Sequence, residues 1–273
     1  MNRTQPLTEN QGILIERSEI DYMVDRMWAI KERPGNPEGV DMKSFGNAVA
    51  FYSRTMPWPT FNTVKGLSSD DIDSIDAILD FYKSRERKPQ FEIVPSRVNS
   101  EMLRKLAERG FYQSGFHMSM YYSMEQLPPD WRDTGIDIKG ISKEEFMMYA
   151  LIHCRSTGLP DDGIPYVAEN NQVLHGRPGW RFFMAMIDRN PAAVGVMYMN
   201  HTVASLTFAG TLPAYRNRGC HQALIRRRIY EAAKNGCNTV VSQAGYLTQS
   251  HRNMEQVGMK IGYIRTTWTE LER

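Results

Sequence analysis

The sequence predicts a mixed α/β (α+β) fold, and three observations predict it. Short apolar runs of strand length alternate with amphipathic runs of helix length, each bounded by Gly, Asn or Pro. One strand runs straight into a basic turn with a single glycine and then into a helix, over residues 202–236. The first half of the chain repeats the punctuation of the second.

In the second half, residues 180–187 read as a strand, 188–191 as a turn, 192–199 as a second strand and Asn200-His201 as a hairpin turn. Residues 202–211 form a third strand that leads into the basic turn. The helix that follows carries Ile225, Ile229, Ala232 and Ala233 on one face and Arg227 opposite. Asn235-Gly236 stops it, with the glycine just past the end. Residues 238–243 read as the next strand, 250–257 as a short helix ended by Gly258, and 260–268 as the strand that closes the sheet.

In the first half, residues 100–109 form a helix ended by Gly110-Phe111, as Gly258-Met259 ends its counterpart. A second glycine and an aromatic-rich strand follow both, at Gly115 and Gly262. Residues 91–94 stand where 238–243 stand, and 70–82 where the helix after the basic turn stands. A duplication joined near Leu127-Pro128-Pro129-Asp130-Trp131 is the simplest account; an unrelated α+β first domain is the other. The length of 273 residues suits two domains, 1–130 and 131–273.

The basic turn, residues 211–225, builds an anion site. A helix's first turn leaves backbone N–H groups unpaired and carries the positive end of its dipole. Gly219 removes the Cβ that would hold a phosphate off the backbone, and Arg216 and Arg218 add charge. A pyrophosphate-bearing cofactor is the natural guest.

Read as Arg216-x-x-Gly219-x-His221, the turn resembles the phosphate-binding motif Arg/Gln-x-x-Gly-x-Gly/Ala of the GNAT superfamily of acyl-CoA-dependent N-acetyltransferases. The resemblance covers residues 136–268 and departs from the motif at His221. It implies a GNAT-like mixed, mostly antiparallel sheet flanked by helices, twice in tandem. It implies acetyl-CoA (coenzyme A) as co-substrate, with no metal. Backbone contacts would come from Ala209 and Thr211, where the third strand splays from the one ending at Gln243. Phosphate contacts would come from Arg216, Asn217, Arg218, Gly219, Cys220 and His221, with Gln222 joining. Asn253 would bond the pantetheine or the thioester region. The copy in residues 1–130 would hold no cofactor, because Asp70 and Asp71 occupy the place a phosphate needs.

The implied reaction is acetyl transfer to an amine by direct attack on the thioester. The amine, with a pKa near ~10, must lose its proton, and an acid would protonate the leaving thiolate. Where many family members carry a tyrosine acid, this chain has Met254, and the nearest donors are Tyr246 and His251. Residues 202–211 and 238–243 contain no acid. Asp161, Asp162 and Glu169 remain as bases, although Asp161-Asp162 before Ile164-Pro165 also reads as a helix N-cap pair. Ser142 to Glu145 is a capping box, which makes Glu144 and Glu145 structural. The catalytic residues are therefore unassigned, and a non-catalytic acyl-CoA-binding sensor or partner-binding module is the alternative. A thiol or hydroxyl acceptor is a third.

Cys220 reads as a small residue of the turn, at a helix N-terminus that can lower a thiol pKa. His201 falls about 30 Å from the turn at ~3.3 Å per strand residue. Arg226, Arg227 and Arg228 point in three directions and make no stripe, so a solvated face is expected, with one of them reaching the CoA 3′-phosphate as the alternative. Seventeen methionines read as pliable core, or as a Met-lined acceptor pocket.

A net charge of +2 is too small to argue for nucleic acid as a partner, so none is expected, and no stretch approaches the ~18 apolar residues of a membrane span. The first residues lack a signal peptide's apolar core. Three cysteines without metal or disulfide spacing fit a cytoplasmic protein. The expected partner is a small-molecule or peptide amine acceptor, and the chain is expected to be a monomer or homodimer.

Overall fold

The computed structural model describes residues 6–56, 58–124, 132 and 135–272. The chain forms two compact units, Met1–Ser119 with Ile261–Arg273, and Met120–Lys260. The sequence reading divides the chain at 130 and keeps all that follows together. The structure divides it at Ser119/Met120 and returns the last strand to the first unit. The expected joint at Leu127 to Trp131 lies outside the described residues.

The first unit opens with α1 (Glu9–Lys31), whose N-terminus is a Thr8/Gln11 capping box. β1 (Asp41–Phe45), β2 (Ala48–Tyr52) and β3 (Thr63–Lys65) pair antiparallel. α2 (Ile75–Lys83) then crosses to β4 (Gln90–Ile93), which lies parallel to β3. α3 (Ser100–Glu108) leads into β5 (Phe111–Ser123). Ile75, Ile78, Phe81 and Tyr82 of α2 pack on Phe45, Phe91 and Phe111. The buried Tyr82 hydroxyl donates to Phe51 O at 2.7 Å, so its polar end is satisfied. At the N-terminal end of this crossover, Asp71 accepts from the backbone N–H of Asn47 and of Ser68, each at 2.9 Å.

The second unit contains β6 (Asp137–Gly140), α4 (Phe146–Thr157), α5 (Ile164–Gln172), β7 (Trp180–Ile187), β8 (Asn190–Asn200) and β9 (Val203–Thr211). β6 to β9 form an antiparallel meander. The turn expected at 188–191 tightens to Asp188-Arg189, with φ of 50° and 64°. Two positive φ values in succession match the twist of the flanking strands. α6 (Cys220–Lys234) crosses to β10 (Thr239–Ala244), parallel to β9, and α7 (Gln249–Gln256) follows. β11 (Lys260–Glu270) then pairs antiparallel with β4 in the first unit.

Both units therefore use the same plan: three antiparallel strands, a helical crossover, a parallel strand, a short helix and a closing strand. The order β1-β2-β3-α2-β4-α3 matches β7-β8-β9-α6-β10-α7. The closing strands are exchanged. β11, which follows α7, lies beside β4, while the chain leaving β5 runs beside β10, where Met124 N–H donates to Asn238 O at 2.8 Å. Among the described residues no helix is long and apolar enough to cross a membrane.

Candidate functional site

The pairing of β9 with β10 ends at Leu206↔Ser242, although β9 continues to Thr211 and β10 to Ala244. The strands splay there, as the resemblance implied. β9 then delivers the chain into the turn before α6. Asn217 sits at φ 61° and Gly219 at φ 80°, and this second left-handed position is one that glycine adopts without strain. Gly219 is the N-cap residue of α6, and no side chain caps that helix.

The first backbone donation into α6 is Ala223 N–H to Gly219 O at 3.0 Å. Among the described residues no protein group accepts from the N–H of Gly219, His221 or Gln222. These donors stand at the wall of a cleft of about 690 Å³. Its strand side is Ala209, Gly210 and Thr211, and its turn side runs from Tyr215 through Arg216, Asn217 and Gly219. Cys220, His221 and Gln222 continue along α6, and Gln249, Ser250 and Asn253 close the cleft from α7.

Nine of the ten residues expected to hold the cofactor thus meet in one cleft: Ala209, Thr211, Arg216, Asn217, Gly219, Cys220, His221, Gln222 and Asn253. Arg218 does not join them. It turns outward to Asp188 Oδ2 at 3.2 Å and over the Tyr215 ring. Arg216 donates to Ser156 O at 3.1 Å, which holds its guanidinium at the cleft wall. Ser156 and Thr157, the last two residues of α4, also line the cleft, and they were missed because nothing local at that helix end signals such a role.

Asn253 joins α7 to α6. Its amide donates to His221 Nδ1 at 2.9 Å, while its oxygen accepts from Gln249 at 3.0 Å and Gln222 at 3.4 Å. Burial, with the charge of Arg228 behind it, pushes the His221 pKa down to about 4. The ring is neutral at pH 7, and with Nδ1 accepting, its proton sits on Nε2.

Of the remaining candidates, Tyr246, His251, Asp161, Asp162 and Glu169 do not line the cleft. Tyr246 is exposed and lines neither it nor the smaller cavity beside it. His251 is buried, accepting from Leu247 N–H at 3.2 Å through Nδ1 with Nε2 3.3 Å from Glu255. Asp161 is exposed and paired with Arg155 at 2.7 Å, and neither Asp162 nor Glu169 lines the cleft. Burial pushes the Cys220 thiol pKa up, against the lowering that a helix N-terminus can give. Met254 is buried at the splay.

In overlays on solved structures, the chain is similar to a GCN5-related N-acetyltransferase from Kribbella flavida, with a TM-score of 0.67, 12% identity and 95% of each chain covered. A tandem GNAT protein from the clavulanic acid biosynthesis pathway overlays at 0.61 with 13% identity, over 92% of this chain and 94% of that one. The fold is that of the GNAT acetyltransferases. A GCN5-related N-acetyltransferase from Sphaerobacter thermophilus overlays at 0.61 with 14% identity, over 76% of this chain and 71% of that one. No family model and no curated protein sequence matches this chain. Within the GNAT fold, the cleft described above occupies the crossover from β9 to α6.

Proposed function

We propose that the second unit binds acyl-CoA and transfers an acetyl group to a small-molecule or peptide amine. One observation carries the reading: the unaccepted N–H groups of Gly219, His221 and Gln222 line the same cleft as Arg216. Three amides and a guanidinium on one pyrophosphate, at roughly 1.5–3 kcal/mol each, account for micromolar binding. Acyl-CoA, when bound there, would supply the thioester for the amine to attack, with the CoA thiolate as leaving group. The chain's own part is to hold the phosphates at the α6 N-terminus and the arm along Ala209 and Thr211. His221 Nε2–H and the Ser250 hydroxyl, which line both the cleft and the splay, are the donors placed to bond the thioester oxygen or the leaving thiolate. Direct attack needs no enzyme nucleophile, in keeping with a buried Cys220.

We assign no cofactor to the first unit. The supporting feature is Asp71, whose carboxylate takes the Asn47 and Ser68 N–H groups at the matching helix start. Three cysteines without a disulfide suit the reducing cytoplasm.

Calorimetry with CoA tests the reading. Gly219→Glu is expected to abolish binding while circular dichroism stays native, and unchanged affinity overturns the assignment. A second reading, a non-catalytic acyl-CoA sensor, is favoured by Met254 at the splay. Free-CoA release across a panel of amines separates the two, and binding without turnover selects the sensor.

A further inference from the structure

A smaller cavity of about 200 Å³ shares Ala209, His221 and Ser250 with the cleft and sits where β9 and β10 part. Arg228 lines it from α6 with 1% of its surface exposed. Residue 228 was expected on a solvated face; it is instead among the largest fully buried side chains.

Its surroundings explain part of this. Between Val196↔Phe208 and Tyr198↔Ser205 the β8–β9 register slips, so Leu206 and Thr207 stand opposite Met197 alone. This bulge leaves carbonyls without ladder partners. Arg228 Nη1 donates to Val196 O and to Phe208 O, each at 3.0 Å, and Nε donates to Leu224 O at 3.0 Å. Gly195 leaves room for the guanidinium, since a Cβ there would come within 3.2 Å of it.

The rest is unexplained by the fold. Three of the five N–H groups are used, and among the described residues the two on Nη2 have no protein partner. Among the described residues no carboxylate pairs with Arg228. A buried cation without a counter-ion carries a desolvation cost of several kcal/mol. Two polar groups of the same cavity are buried and, among the described residues, unpartnered: Thr207 Oγ1 and Gln243 Nε2. All three can donate, and a carboxylate is a compact acceptor-only group of opposite charge.

We propose that Arg228, Thr207 and Gln243 form a carboxylate-binding subsite beside the reacting centre, so that the ligand handled there carries a carboxylate. The inference rests on the acyl-CoA reading for its place in the reaction. The carboxylate belongs either to the acyl group, as in a dicarboxylic acyl-CoA, or to the acceptor, as in an amino acid.

Calorimetry on the full chain separates the sources in two arms. The first compares succinyl-CoA with butyryl-CoA. The second compares glutamate, alanine and succinate with their amides, with CoA present and without it. At least a tenfold preference for the carboxylate in one arm is expected, and that arm identifies its source. Arg228→Met is expected to erase the preference while CoA affinity stays within twofold. Thr207→Val and Gln243→Met are expected to reduce it threefold or more, and they decide the matter if Arg228→Met does not fold. Equal affinity for charged and uncharged members in both arms overturns the subsite, as does a preference that survives in Arg228→Met or, should that variant not fold, in both of the others. Failure of wild-type protein to bind CoA overturns the acyl-CoA reading instead, and the second arm without CoA still decides the subsite.

Discussion

His221 stands neutral between Asn253 and the charge of Arg228, with its pKa pushed down to about 4. In the unfolded chain the ring takes a proton as pH falls through about 6.5. Between those values the unfolded state binds more protons, so His221 makes stability fall as pH drops from about 6.5 toward 4. Denaturant titrations at pH 7.5 and pH 5 are expected to show a smaller acid loss in His221→Gln than in wild type. Equal losses would remove His221 from the account. His117, also pushed by burial to about 4, adds loss of the same sign and stays as background in both proteins. The basic turn was legible from sequence because its glycine, arginine and helix start are local. The position of Arg228 was not, since buried arginine is rare and the bulge that accommodates it lies on two other strands.

At the scale of elements, α6 and α7 meet through the Asn253 amide and through Gln222, which also donates to Gln256. Asn253→Ala would leave His221 Nδ1 and the Gln249 amide without their partner. It is expected to cost about 1–3 kcal/mol of stability and to weaken CoA binding. Unfolding curves and calorimetry check it, and no change in either measurement refutes the hub. The helix after the turn and the strands β7 to β10 could be read from period and punctuation alone. α1 could not, because its buried positions include Glu16 and Glu19, which break the apolar stripe that announces a helix.

For the whole molecule, the first unit is held at its centre by charge. Arg265 of β11 pairs with Glu19 and, at 3.0 Å, with Glu92, which also pairs with Lys65. Burial pushes Glu92 up, but Arg265 and Lys65 outweigh it and hold it at about 2. Removing one partner of such a group is far costlier than never having built it. Arg265→Met is expected to destabilise the chain by about 3–5 kcal/mol in chemical denaturation, and a loss under 1 kcal/mol would show the pairs to be incidental. The duplication was visible in sequence, but the exchange of closing strands was not. A strand's partner some 170 residues away leaves no local trace.

That exchange bears on how the protein is made. β4 leaves the ribosome before the second unit does, yet its neighbour β11 emerges only after it. At roughly 5–20 residues per second, the intervening second unit takes on the order of ten seconds to emerge. During that interval the second unit can collapse on its own core, while the first waits with an open strand edge and with Glu19 and Glu92 short of their arginine. The second unit can therefore fold before the two segments that flank it have paired, and the unfinished edge is the surface a chaperone would need to shield.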